Sequence, residues 1–114
     1  MMLKWSAAFA VLATAGLAQS DGWERVLSDE GITEALAGRT VVYDEYTLQH
    51  FGTAGDTVFV TERAANGRWA ARAGQYCSVW PPSDVWTCYD FQVNGQRVRF
   101  ISSDRSISEG SYQD

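Results

Sequence analysis

At 114 residues with a formal net charge of -5, the chain is long enough for one small domain and too short for two. Its acidic balance excludes partners such as nucleic acid or an anionic membrane surface, whose phosphates demand basic patches. Lys4 is the single lysine, and it lies at the extreme N-terminus.

That N-terminus, MMLKWSAAFAVLATAGLAQS, has the layout of a secretory leader: Lys4, then an apolar run from Trp5 to Leu17, then the small residues Gly16 and Ala18. Cleavage is expected after Ala18, giving a leader over 1-18 and one β-rich domain over 19-114. The apolar run falls short of the roughly 20 residues a membrane-spanning helix needs, so no stable membrane insertion is expected. No cysteine stands at the cleavage point to carry a lipid. The expected location is periplasmic or secreted, and removing the leader leaves eight arginines against fourteen acidic side chains.

The first element of the domain is a short helix. Ser28 is placed to cap it, Asp29 and Glu30 complement the dipole of its first turn, and Gly38 ends it. Leu27, Ile32 and Leu36 supply an apolar stripe that predicts packing against a sheet. From Thr40 onward the pattern is strand after strand: TVVY, YTLQHF and TVFVTE, rich in β-branched and aromatic residues and separated by turn residues. Asn66-Gly67 predicts a hairpin turn into RWAARA, Gly74 separates that strand from QYCSVW, and Pro81 with Pro82 ends it. WTCYDFQV follows, and Asn94-Gly95 predicts a two-residue turn of type I′ into QRVRFIS. Alternation then puts Cys88, Asp90 and Gln92 on one face and Tyr89, Phe91 and Val93 on the other. A last short strand is expected around Ser106 to Tyr112. The fold class is mainly β: a small antiparallel meander or barrel-like sheet of about 6 to 8 strands with one short N-terminal helix.

Cys77 and Cys88 are the only cysteines, and an exported chain meets an oxidising compartment, so they are expected to form a disulfide. Closing a loop of about 12 residues stabilises by roughly 2 to 3 kcal/mol. Their spacing is neither the CxxC of a redox pair nor a four-ligand zinc pattern.

Over AGQYCSVWPPSDVWTCYDFQVNGQRVRF the chain resembles a group of small exported, disulfide-bonded proteins of unknown function from Gram-negative bacteria. The shared pattern is G-x-W, then C-x-x-W, then C, then an NG or DG hairpin. It is carried here by Gly67 with Trp69, Cys77 with Trp80, Cys88, and Asn94 with Gly95. Some members of that group bear a dihydrodipicolinate reductase label. This chain has no GxGxxG and no βαβ alternation to hold a dinucleotide, so no cofactor is expected.

His50 is the lone histidine, in a strand, with Asp44 and Glu45 before it. Together they are the only candidate general acid-base set, and nothing in the spacing brings them together. No GxSxG accompanies them, which disfavours the familiar hydrolase classes. Arg97 and Arg99 share one strand face, to which Arg72 is a possible addition; arginines so placed clamp an anion or form cross-strand ion pairs. The densest feature is aromatic: Trp69, Tyr76, Trp80, Trp86, Tyr89 and Phe91. Such rings pack a core or anchor a partner. Trp69, Tyr76, Trp80, Pro81, Pro82 and Trp86 are the candidate contact surface, with the stretch from Pro81 to Trp86 a stiff loop held at its base by the cysteines. The function expected is a non-enzymatic periplasmic binding module for a protein or a small apolar ligand. Its rivals are an inhibitor of an envelope-attacking hydrolase and a small envelope enzyme using His50.

Overall fold

The computed structural model describes residues 21 to 113, so the expected leader lies outside the described residues. The domain opens with a two-residue strand β1 (Glu24–Arg25) and helix α1 (Asp29–Leu36). The Ser28 side chain accepts the Gly31 amide at 2.9 Å, satisfying one of the helix's orphan donors, and Asp29 and Glu30 occupy the first turn as expected. Gly38, at a φ of +79°, turns the chain out of the helix and donates its amide to the Phe51 carbonyl at 2.7 Å. Ile32 and Leu36 are fully buried. Leu27 is exposed, contrary to its place in the predicted stripe, because it precedes the cap and the helical periodicity does not reach it.

Eight strands follow: β2 (Thr40–Asp44), β3 (Thr47–Phe51), β4 (Asp56–Val60), β5 (Ala64–Arg72), β6 (Gln75–Val79), β7 (Thr87–Asn94), β8 (Arg97–Ile101) and β9 (Ile107–Tyr112). Each pairs antiparallel with the next, and β9 returns to β2 through Val41 with Tyr112 and Val42 with Ser111. The ring therefore closes into an eight-stranded up-and-down barrel, leaving no open edge. β1 lies outside the ring, paired to the end of β7. At the closing seam β9 carries Gly110, where a Cβ would sit 2.7 Å from both the Val42 carbonyl oxygen and Val41 Cγ1.

Two turns differ from expectation. Asn66-Gly67 lies inside β5, and the β4–β5 connection is Thr61 to Arg63. Local chemistry there favours a turn, but a Cβ at Gly67 would stand 2.6 Å from the Trp80 ring and 2.7 Å from the Val79 carbonyl, so the glycine serves a close approach across strands. The β7–β8 hairpin exists, shifted by one residue: Asn94 pairs with Arg97, and the loop is Gly95 and Gln96, with Gly95 at a φ of +62°.

Alternation sends Phe51, Trp69, Tyr76, Phe91, Val98 and Phe100 into the barrel, where Phe51 meets Trp69 and Tyr76 edge-on at 5.8 and 5.7 Å. Helix α1 seals the end at which β3, β5 and β9 finish. Ile32 and Leu36 join this core, Asp29 accepts the amide of Gly74 in the β5–β6 turn at 2.7 Å, and the Tyr112 hydroxyl donates to the Ala35 carbonyl at 2.9 Å. Burying each such large apolar side chain stabilises by roughly 1.5 to 3 kcal/mol. Cys77 and Cys88 stand directly opposite on β6 and β7 and form the expected disulfide on the outer wall. Among the described residues no helix is long and apolar enough to cross a membrane.

Candidate functional site

The helix closes one end only. At the other end lie the β2–β3, β4–β5, β6–β7 and β8–β9 connections, and between them opens a cavity of about 650 Å³. That volume is within the range of a small-molecule site. Its walls are the rings of Tyr43, Phe59, Tyr76, Trp80, Tyr89 and Phe100, contributed by β2, β4, β6 and its end, β7 and β8. Neighbouring rings are in contact: Phe59 meets Trp80 edge-on at 6.2 Å and Tyr43 at 6.0 Å, while Tyr76 meets Tyr89 at 5.9 Å.

Two backbone irregularities shape this mouth. The pairing of β2 with β3 steps from Val42 opposite Leu48 to Asp44 opposite Thr47, so Tyr43 is the extra residue of a bulge, and its phenol reaches into the barrel. Gly67 leaves the space into which the Trp80 ring folds. Trp80 then donates its indole N–H to Ser78 Oγ at 3.2 Å, which holds the ring along the wall.

The cavity floor is a buried polar network centred on Gln49, which is only 5% exposed. Tyr43 donates its hydroxyl to Gln49 Oε1 at 2.9 Å, and Gln49 Nε2 donates to Thr57 Oγ1 at 3.0 Å and to the Tyr76 oxygen at 3.1 Å. Thr57 in turn donates to the His50 carbonyl at 2.7 Å. Burial pushes the Tyr43 phenol far above its ordinary pKa, with the neighbouring Tyr76 and Tyr89 phenols adding to the shift. Burial raises Tyr76 as well, against the smaller opposing effect of hydrogen bonds from Ser78 and Gln49. Both phenols therefore keep their protons at physiological pH.

Of the residues singled out in the sequence, Tyr76 and Trp80 line the cavity. Pro81 and Pro82 are exposed on the rim, in the loop joining β6 to β7, where the Ser83 amide returns to the Trp80 carbonyl at 3.0 Å. Trp69 lies in the sealed half, 6% exposed, with its indole N–H on the Gly52 carbonyl at 3.0 Å. Trp86 stacks under the Arg72 guanidinium at 3.9 Å, outside the cavity lining. The six candidates thus divide between cavity, rim, core and outer wall. Tyr43, Gln49 and Phe59 were not singled out, although they occupy inward-alternating positions of β2, β3 and β4 once the ring is closed.

His50 faces outward, its Nδ1 2.8 Å from Thr40 Oγ1, and Asp44 lies at the opposite end of the β2–β3 pair, across from Thr47. The acid-base set of the enzyme reading is therefore not assembled. Arg97 and Arg99 do share a face, and both bind Glu109 of β9, Arg99 Nε at 3.1 Å; Arg99 also stacks over Trp23 at 4.0 Å. Arg72 is committed to Trp86 and does not join them. Among the described residues no group of three or more His, Cys, Asp or Glu side chains is placed to hold a metal ion. Comparison with protein-family models, curated proteins and solved structures finds no match.

Proposed function

We propose that this domain is an exported, non-enzymatic binding module that takes a small apolar ligand into the open end of its barrel. The observation that carries the reading is a cavity of about 650 Å³ walled by six aromatic rings, sealed beneath by a helix and open above. An eight-stranded barrel is just wide enough either to fill with side chains or to hold one small ligand. This one is filled in its helix end and hollow at its mouth. The disulfide suits an oxidising location, periplasmic or secreted.

The test is a fluorescence titration with N-phenyl-1-naphthylamine, a neutral apolar probe. Saturable one-to-one enhancement is expected in the wild type, and its loss in Ala65→Trp, which places a ring in the cavity from β5 without touching the sealed core. Binding that survives this plug would place the probe elsewhere and sink the proposal.

A protein partner seated on the rim is a second reading, favoured by one observation: Tyr46, Val85 and Ile107, at 78%, 67% and 52% exposure, all stand at the open end. An inhibitor of an envelope-attacking hydrolase is one form of it. Capture of a partner from periplasmic extract, abolished by Tyr46→Asp with Val85→Asp but not by Ala65→Trp, is the outcome this reading requires.

A further inference from the structure

The aromatic walls specify an apolar body; the hydrogen bonds of the floor specify the polar group that body carries. Thr57 has a single hydroxyl proton and gives it to the His50 carbonyl at 2.7 Å, so toward Gln49 it accepts only. The Gln49 atom facing it is therefore the amide nitrogen. The amide oxygen is thereby turned to Tyr43, whose hydroxyl proton it takes. The second amide proton goes to the Tyr76 oxygen at 3.1 Å. From the other side Trp80 Nε1 gives its proton to Ser78 Oγ.

The Tyr76 oxygen thus accepts from Gln49, and the Tyr76 O–H is the donor of no hydrogen bond among the described residues. It is a 4% exposed hydroxyl on the cavity lining with a proton left to give. A buried donor without a partner costs about 1 to 3 kcal/mol, which a ligand acceptor would recover. The charge around the cavity narrows the choice further. Asp44 and Glu109 are the charged lining residues, and both are acidic; the nearby Arg97 and Arg99 are bound to Glu109. A carboxylate entering here would lose its hydration and meet no countercharge.

We propose that the cavity selects neutral apolar ligands carrying a carbonyl or equivalent acceptor oxygen, held by the Tyr76 hydroxyl, and discriminates against apolar carboxylates such as fatty acids. This rests on the cavity being the ligand site. Because the Tyr76 phenol stays protonated, the donor is present throughout the neutral range.

The experiment compares 2-acetylnaphthalene, 2-ethylnaphthalene and 2-naphthoate by calorimetry on the wild-type domain and on Tyr76→Phe, and reads the carbonyl stretch of bound 2-acetylnaphthalene by infrared difference spectroscopy. The ketone should bind about tenfold tighter than the hydrocarbon, corresponding to about 1.4 kcal/mol. Naphthoate should be the weakest of the three, and the ketone's carbonyl band should shift down on binding. In Tyr76→Phe the preference and the band shift should both vanish while the hydrocarbon still binds. Equal affinity of ketone and hydrocarbon in the wild type, or an unshifted carbonyl band, overturns the acceptor assignment and leaves the cavity reading standing. Failure of all three to bind overturns both. Should Tyr76→Phe not fold, the wild-type comparison and the band position decide alone.

Discussion

Single atoms decide how this barrel is filled. At Gly67 the space a methyl group would need is taken by the Trp80 ring and the Val79 carbonyl. Gly67→Ala should therefore cost about 1 to 3 kcal/mol, the usual range for overpacking, and displace Trp80; a denaturant melt together with tryptophan fluorescence would measure both, and an unchanged midpoint would contradict the packing described. Trp69 presents the opposite case. It is buried and bonded to the Gly52 carbonyl, so Trp69→Ala should cost about 3 to 5 kcal/mol, whereas Trp86→Ala should cost much less, because that ring is only half-buried beneath Arg72. Melts of the two variants would check the ordering. Sequence reasoning assigned these tryptophans to one surface because they are close along the chain. Nearness along the chain does not decide which way a ring turns: Trp69 points inward from β5, whereas Trp86 lies in the loop just before β7 and stacks against Arg72. Gly67 was misread for a related reason, since Asn-Gly is turn chemistry locally and the Trp80 contact that overrides it comes from another strand.

Among the elements, the helix, its Ser28 cap and nearly all the strands were legible, because capping and period-two alternation are encoded in neighbouring residues. The shared face of Tyr89, Phe91 and Val93 was read correctly on this basis, and the structure turns it inward. The bulge at Tyr43 was not, since nothing in TVVYD marks which residue is extra; the pairing with β3 determines that. The β8–β9 hairpin carries the acid response of the fold. Ser102, with the amide and hydroxyl of Ser106, holds the Asp104 carboxyl down at about 2, and Arg99 with Arg97 holds Glu109 below its ordinary value. Both carboxyls bind protons more readily in the unfolded chain, so their stabilisation is fully present above the ordinary carboxylate range and is lost as pH falls toward about 2. Melts at pH 5 and pH 2.5 should show the wild type losing stability on acidification and Asp104→Asn losing less. A variant with the same acid loss as the wild type would remove Asp104 from this account. The disulfide belongs to this scale too: reduction should lower stability by about 2 to 3 kcal/mol while leaving the β6–β7 pairing in place, as amide exchange would report.

For the whole molecule, the decisive event is closure of the ring. It joins Val41 to Tyr112, residues from opposite ends of the domain, and no local pattern announces such a pairing. The sequence therefore supported a meander or a barrel alike, and the cavity, which exists only in the closed form, stayed invisible. Gly110→Val should force β9 from β2, because the new side chain meets the Val42 carbonyl in the seam. The expected cost is about 3 kcal/mol, with lost exchange protection at the Gln113 amide, which donates to the Thr40 carbonyl across the seam, and little change at β6 and β7. Protection lost uniformly across the barrel would show instead that the seam does not open on its own.

The central claim, that ligand enters the hollow end and no other surface, is tested most directly by the tryptophan indole signals in a two-dimensional nitrogen-proton NMR spectrum during titration with N-phenyl-1-naphthylamine. The Trp80 signal should shift strongly and saturably, while Trp69 behind the sealed core and Trp86 outside the cavity stay within a small fraction of that shift. A spectrum in which Trp86 moves and Trp80 does not would contradict the account.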